Sequence, residues 1–232
     1  MQSGAYSVAT LGEVRDTTLY HNSEMKFIDI HTHNKSEETA YAIFNSNGEP
    51  TTGCASIGIH PWDVDGTWEK RFRAIKKLAK SPDITAIGEC GIDRAHSGAG
   101  LELQTEVFRA HITLSEELKK PLIIHCVKAV DNIISQYKEC RPQQAWIIHG
   151  FRGKPQQAEQ LTRAGLSLSL GEHFNEESAR IIPAEKLFIE SDESKVPIEE
   201  IYARIAKARG CSVEELVWQI SANATHCGIS FI

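Results

Sequence analysis

The feature that most restricts the fold is a pattern that repeats from about residue 27 onward. A short apolar run rich in Ile, Val and Leu is followed, in most repeats, by a stretch whose apolar residues have helical spacing. Strands that alternate with helices pair in parallel, because each helix carries the chain back to the starting edge of the sheet. The eight candidate strands are residues 27–30, 41–44, 55–59, 84–88, 122–124, 146–148, 166–170 and 187–189.

The helical stretches have the amphipathic spacing of helices that pack on a sheet. In residues 67–80, for example, Trp68, Phe72 and Ile75 lie on one stripe. Eight strands with intervening helices predict an α/β protein of the distorted (β/α)8 TIM-barrel type. The first two connections are too short for full helices, so we expect the barrel to be irregular there. The other candidate helices are residues 101–119, 128–139, 155–164, 197–209 and 213–226.

Length and composition favour one globular unit. The chain has 232 residues, 41% hydrophobic and 24% charged, and α/β barrels of this size form single domains. We assign residues 26–232 to the barrel and the polar, aperiodic residues 1–25 to an N-terminal extension or loose segment. No apolar run approaches the roughly 18 residues that a membrane span needs, and no signal peptide is visible.

Cysteine spacing and net charge exclude two further classes. The six cysteines include no Cys-x-x-Cys pair, which argues against a zinc knuckle or a redox motif. Without an export signal they are interpreted as reduced thiols of a cytoplasmic protein. A net charge of −6 argues against a general nucleic-acid coat protein, but it permits an enzyme with a locally positive cleft.

Residues that carry chemistry follow six of the eight candidate strands. The carboxyl ends of barrel strands meet at one mouth, where the active sites of such barrels lie. Burying that many polar groups without partners is costly, and a metal cluster would satisfy them. The residues at these ends are His31 and His33, His60, Glu89 and Asp93, His125, His149, and Glu190 and Asp192.

The number of candidate ligands suits two divalent ions. His31 and His33 share one face of a strand and can hold one ion, while His125 and His149 can hold the other. Glu89 can bridge the two ions, and Asp192 can complete the first site and touch a bound water. Two such ions support hydrolysis by activating water near neutral pH, and this donor set admits zinc, manganese or magnesium.

The ordered motifs resemble those of the TatD family of metal-dependent deoxyribonucleases, which belong to the amidohydrolase-like barrels. The resemblance rests on "FIDIHTH", "SIGIHPW", "IGECGID", "LQTEVF", "PLIIH", "WIIHGF" and "FIESD", and covers about residue 27 to the C-terminus. It implies a distorted (β/α)8 barrel that hydrolyses DNA phosphodiesters with two metal ions. It also implies that Asp192 is the catalytic base. His60 matches a motif histidine near the site, which we interpret as a contact to substrate, with a supporting structural role as the alternative. The ligands that the resemblance implies are His31, His33, Glu89, His125, His149 and Asp192.

The loops around these motifs depart from the family pattern. Lys128 stands where the family usually has Arg, and Gly150-Phe151-Arg152-Gly153 replaces a usual Cys-Phe-Ser-Gly. Lys128 and Arg152 each lie three residues beyond a predicted ligand, Lys154 lies two residues beyond Arg152, and Arg94 follows the motif of the fourth strand. We therefore predict that these four cations form a positive rim, in which Lys128 and Arg152 hold DNA phosphates.

Three other functions fit parts of the sequence. A dinuclear hydrolase could act on a small-molecule amide, lactone or phosphoester. Many amidohydrolase relatives bridge their metals with a carboxylated lysine, where this chain has Glu89. Barrels of the polymerase-and-histidinol-phosphatase class also begin with His-x-His but usually end in Asp-x-His, which Asp192-Glu193-Ser194 does not match. A non-catalytic binding barrel would show a lost ligand, and none is lost.

The remaining assignments concern partners and the other histidines. DNA is the expected partner, with no membrane, no obligate protein partner, and a monomer or small homo-oligomer. The histidines interpreted as structural or loop residues are His21, His96, His111, His173 and His226.

Overall fold

The computed structural model describes residues 26–34, 40–46, 53–96 and 98–231. The predicted N-terminal extension, residues 1–25, lies outside the described residues. None of the helices in the described part is long and apolar enough to cross a membrane.

Eight parallel strands form one sheet in sequence order from β1 to β8. Their residues are buried on both faces, as the near-continuous apolar runs of the sequence require. The sheet follows the predicted (β/α)8 barrel. The strands are β1 (Phe27–Thr32), β2 (Ala40–Ser46), β3 (Ala55–Ile57), β4 (Ile84–Asp93), β5 (Leu122–Val127), β6 (Trp146–Ile148), β7 (Ser167–Leu170) and β8 (Leu187–Ile189).

Seven α-helices in the described part cover the outside of the sheet. Each apolar stripe packs against the strands, and buried side chains such as Phe108 and Trp146 meet edge to face at 5.3 Å between helix and sheet. The last helix begins with the capping box of Ser212 and Glu215. The helices are α1 (Trp68–Leu78), α2 (Leu101–Leu118), α3 (Val130–Cys140), α4 (Pro155–Ala164), α5 (Glu176–Ile181), α6 (Ile198–Arg209) and α7 (Val213–His226).

The barrel closes between its first and last strands at their carboxyl ends. Asp192, just beyond β8, donates its backbone N–H to the carbonyl of His31 at 3.0 Å, and its own carbonyl accepts from the N–H of His33 at 2.9 Å. An isolated parallel bridge between Thr32 and Asp192 marks the same contact. The closure therefore brings three of the predicted ligands to one place.

Two glycines let β4 and β5 approach closely. A Cβ on Gly88, whose φ is +144°, would lie 2.4 Å from the carbonyl oxygen of Ile123. A Cβ on Gly91, at φ +142°, would lie 2.1 Å from the carbonyl oxygen of His125. Because no side chain fits there, glycines on both sides of Glu89 hold this strand against β5 and set the glutamate beside His125.

Candidate metal centre

Glu89 lies at the centre of a histidine cluster at the barrel mouth. Its Oε1 is 2.7 Å from both His125 Nδ1 and His149 Nε2. Its Oε2 is 3.4 Å from His31 Nε2 and 3.6 Å from His33 Nε2. One carboxylate oxygen thus faces each histidine pair, which is the geometry a bridging ligand needs.

Asp192 sits beside the first histidine pair. Its Oδ1 is 3.8 Å from His31 Nε2 and 3.7 Å from His33 Nε2. Burial and the charge of Glu190 raise the pKa of this carboxyl. The structure therefore brings the other five predicted ligands together around Glu89.

Buried polar atoms without partners test whether a metal suits this cluster. Among the described residues, neither ring nitrogen of His31 makes a hydrogen bond, although the side chain is fully buried, and His149 Nδ1 has no partner within hydrogen-bond distance. Such atoms are costly unless something else satisfies them. His31, His33 and Glu89 offer ligand atoms within 4.8 Å of one another, and so do His31, His149 and Asp192. Nitrogen and carboxylate donors so arranged fit divalent metal ions.

The electrostatics of the cluster favour an anionic Glu89. Burial acts to raise the pKa of this carboxyl, but the charge of His149 and hydrogen bonds from the histidines lower it overall. Burial opposes charge on His149, yet Glu89 and Glu190 raise the pKa of that imidazole well above its ordinary value. Burial lowers the pKa of His31. A charged carboxylate beside a neutral, buried imidazole is a suitable pair of donors for a cation.

His60 lies within the cluster itself. Its Nε2 is 3.0 Å from Glu89 Oε1 and 3.2 Å from His125 Nδ1. Its Nδ1 accepts the backbone N–H of Trp62 at 3.1 Å, so the neutral ring carries its proton on Nε2. In that tautomer His60 is a hydrogen-bond donor towards Glu89, and its other nitrogen is already occupied.

Asp93 connects His125 to the loop after β3. Its Oδ2 is 3.1 Å from His125 Nε2 and accepts from Trp62 Nε1 at 2.7 Å. Burial alone would raise the pKa of Asp93, but the hydrogen bonds from Trp62 and neighbouring groups lower it to about 2. Sequence reasoning placed Asp93 at the mouth but did not identify this contact, which orients the imidazole of His125.

Asn45 is a site residue that sequence reasoning missed. Its Nδ2 is 3.4 Å from Glu89 Oε2 and 3.5 Å from His33 Nε2, and its Oδ1 accepts the N–H of Glu89 at 3.2 Å. It occupies the end of β2, so a search of strand ends for amides as well as for histidines and acids would have found it.

Two buried carboxylates, Glu190 and Asp29, make contacts next to the cluster. Glu190 Oε1 lies 3.6 Å from His149 Nδ1 and accepts the backbone N–H of Gly150. Asp29 accepts the Ser191 hydroxyl at 2.6 Å and the Ser191 N–H at 3.0 Å. These hydrogen bonds hold the backbone that follows His149 and the chain that leads into Asp192.

The predicted cationic rim is only partly assembled. Lys128 and Arg152 line a cavity of about 460 Å³ together with His125, His149 and Asp192. Arg152 also lines an adjoining cavity of about 540 Å³. Arg94 is exposed and lines neither of these two cavities, and Lys154 is exposed at the start of α4 and lines neither of them.

The other histidines mostly lie outside the cluster. His111 is buried on α2, with its Nε2 accepting from Ile59 N–H at 2.9 Å, and His173 is exposed beside the larger cavity. His96 stacks on Trp62, with ring centroids 4.9 Å apart. His226 ends α7, and His21 lies outside the described residues.

A parallel barrel with histidine and carboxylate donors clustered at its mouth is typical of hydrolases that depend on divalent metal ions. Within that class, residues 13–227 match the family model described as TatD related DNase. The chain belongs to this family, and it is a metal-dependent hydrolase of the kind that acts on ester bonds.

Individual relatives agree with this placement. The 3'-5' ssDNA/RNA exonuclease TatD of Erwinia amylovora is 28% identical over 197 residues, which cover 73% of this chain and 76% of that protein. The uncharacterized metal-dependent hydrolase YabD of Bacillus subtilis is 32% identical, over 60% of this chain and 57% of its own. The crystal structure of YJJV, a TatD homolog from Escherichia coli, matches with a TM-score of 0.70 at 18% identity. The match covers 87% of this chain and 97% of YJJV, and it supports the fold.

Proposed function

We propose that this protein hydrolyses phosphodiester bonds in DNA, with single-stranded DNA as the preferred form. The observation that carries the proposal is Glu89, whose two carboxylate oxygens each face one histidine pair beside a cavity that Lys128 and Arg152 line. The named activity of the Erwinia amylovora relative on single-stranded nucleic acid supports the same substrate class.

Two divalent ions, zinc, manganese or magnesium, complete the proposed site. His31, His33 and Asp192 would hold one, His125 and His149 the other, and Glu89 would bridge them. When bound, such ions polarise the phosphodiester and make water a nucleophile near neutral pH.

Asp192 is the proposed base that orients the attacking water and takes its proton. Its side chain is 25% exposed and lines the cavity, whereas that of Glu89 is only 4% exposed. Of these two carboxylates, Asp192 is therefore the one that reaches a water beside the substrate. His60 is the proposed further contact to substrate, and because Trp62 occupies its Nδ1, its Nε2–H would have to be shared between Glu89 and a phosphate oxygen.

The cations give the site a preference for a chain of phosphates. Lys128 follows β5 and Arg152 follows β6, so both lie on the same side of the cluster. Phosphates that flank the scissile bond can pair with them, which gives a local attraction on a protein with a net charge of −6. A small ester has no flanking phosphates and gains nothing from these side chains.

The test is the double variant Lys128→Ala with Arg152→Ala. It should keep its metal ions and raise the KM for single-stranded DNA. It should also reduce the slope of log K against log salt by about 1.4, or about 0.7 for each lost phosphate contact. A small phosphodiester without flanking phosphates should be hydrolysed nearly as before.

The matched control removes a Lys and an Arg elsewhere. Lys138 and Arg163 line a separate cavity between α3 and α4, so replacing both with Ala changes the net charge equally and should leave the DNA slope unchanged. Equal losses on DNA and on the small diester would mean that Lys128 and Arg152 support the site itself. No loss on either substrate would favour a small-molecule hydrolase.

The proposed function is compatible with a reducing compartment and with a simple assembly state. All six cysteines are free, which supports a reducing compartment such as the cytoplasm. The proposed site draws all its ligands from one chain, so a monomer or a small homo-oligomer would be competent.

A further inference from the structure

Trp62 is a large aromatic residue that stays exposed although its position is fixed. It is 53% exposed, yet its Nε1–H donates to Asp93 Oδ2 at 2.7 Å and its backbone N–H donates to His60 Nδ1 at 3.1 Å. Exposed indoles that pack loosely need no explanation. An indole held at two points with half of its surface open has already lost the conformational entropy that binding a ligand would otherwise cost.

A second flat ring already lies parallel to this indole. The imidazole of His96 stacks on Trp62 with ring centroids 4.9 Å apart and an interplanar angle of 21°. By contrast, His60 meets Trp62 edge to face at 83°. The indole therefore accepts planar groups in a stacked arrangement, which is how aromatic side chains hold nucleobases.

The pair lies next to the candidate metal centre. The ring of Trp62 is 6.0 Å from that of His125, and Asp93 touches both. Trp62 and His96 come from the loops after β3 and β4, whereas Lys128 and Arg152 follow β5 and β6. A nucleic-acid strand that crosses the mouth would thus meet an aromatic surface on one side of the cluster and cations on the other.

We propose that Trp62, extended by His96, is a stacking platform for the base of a nucleotide that adjoins the scissile phosphodiester. The inference rests on the proposed function, because only a nucleic acid brings a base to this position. Stacking uses the π-face that every base has, so the platform should favour single strands, whose bases are unpaired, with little sequence preference.

The experiment compares oligonucleotides with and without a base at each position near the cleavage site. One set is ordinary single-stranded DNA, and the other carries an abasic sugar at one nucleotide in turn. For the wild-type enzyme, loss of the base at one position beside the scissile bond should raise KM about 5- to 150-fold. In Trp62→Leu, KM for the ordinary strand should rise by a similar factor, and the abasic strand should be bound no worse.

Trp62→Phe separates stacking from the hydrogen bond to Asp93. The phenyl ring keeps a π-face but has no N–H, so this variant should keep most of the preference for a base. If Trp62→Phe were as poor as Trp62→Leu on both the ordinary and the abasic strand, Trp62 would act by positioning Asp93 and the platform would be wrong. Trp218→Leu is the matched control, since Trp218 is 55% exposed on α7 and should leave every KM unchanged.

Two other outcomes would overturn the proposal, and they are distinguishable. If the ratio of KM for the abasic strand to KM for the ordinary strand were the same in Trp62→Leu as in the wild type, no base would stack on Trp62. The assignment of the protein as a nuclease would still stand. Failure of the wild-type enzyme to cleave any oligonucleotide, while it still cleaves a small phosphodiester, would overturn the nucleic-acid assignment and the platform together.

Discussion

Glu89 contacts histidines at the carboxyl ends of β1, β5 and β6 and in the turn after β3. Its carboxylate therefore links the two histidine pairs, His31 with His33 and His125 with His149. Its removal would leave imidazole groups buried without a counter-charge and would break both proposed ion sites at once.

Glu89→Ala should therefore lose both ions or leave both sites poorly occupied. Elemental analysis after dialysis against trace metal measures this. Glu185→Ala, at an exposed position just before β8, is the control and should bind as much metal as the wild type. Full metal occupancy in Glu89→Ala would show that Glu89 does not bridge the two ions.

Asp192→Asn should keep the barrel folded and lose most turnover. The amide has the size of the carboxylate but cannot take a proton, and a positioned base contributes about 10²- to 10⁴-fold. Steady-state kcat on single-stranded DNA measures the loss, and circular dichroism checks the fold. Glu193→Gln changes an exposed carboxylate on the same cavity and should stay near wild-type activity. A kcat for Asp192→Asn within a few-fold of wild type would contradict the role of Asp192.

The residues brought to the cluster were largely predictable, and the reason is geometric. Parallel strands deliver their end residues to one mouth, so His31, Glu89 and His149 could be grouped from sequence alone. Asn45 was missed because an amide is a weak metal ligand and carries no charge. The stacking of Trp62 was missed because it depends on where a loop folds, which no periodicity encodes.

At the scale of elements, α2 holds the turn after β3 through one buried histidine. His111 Nε2 accepts the N–H of Ile59 at 2.9 Å, and its Nδ1 lies 2.8 Å from the carbonyl of Val107. Both contacts require the neutral ring, with the proton on Nδ1. Burial lowers the pKa of His111 from 6.5 to about 4. The turn that presents His60 is thereby tied to a helix.

This pKa predicts acid sensitivity of the fold. Between pH 6.5 and about 4 the unfolded chain binds a proton at His111 that the folded chain does not. The free energy of unfolding is therefore highest above pH 6.5 with respect to this group. It falls by about 3 kcal/mol as the pH is lowered towards 4. Urea unfolding of the metal-free protein across this range should show a shallower decline for His111→Gln, which cannot titrate. Equal slopes in the two proteins would contradict the prediction.

The limits of strands and helices were predictable where the apolar pattern of the sequence stops abruptly. The bounds of β6 and β8 match the apolar runs, and α4 matches its predicted range. In contrast, β4 continues past residue 88 to Asp93, because its pairing with β5 persists through Gly91 and His125. Helix α5 was not predicted, since six residues are too few for a periodic stripe.

For the whole molecule, metal binding should raise thermal stability. The proposed ligands come from β1, β4, β5, β6 and the end of β8, so ions that bind only the folded chain stabilise the entire barrel. At 100 times the dissociation constant the gain is about 2.7 kcal/mol, or roughly 5–10 °C in Tm for a chain of this size. Scanning calorimetry with and without chelator measures it. Glu89→Ala should show no such shift, and a shift as large as that of the wild type would place the metal elsewhere.

The contact that closes the barrel also joins the parts of the proposed site that are synthesised first and last. His31 and His33 emerge early in synthesis, whereas Asp192, which joins them through backbone hydrogen bonds, is made about 160 residues later. The centre is therefore incomplete on a growing chain until the last strand has left the ribosome. In the proposed site the ligands can therefore come together only after both the first and the last strand of the barrel have been synthesised.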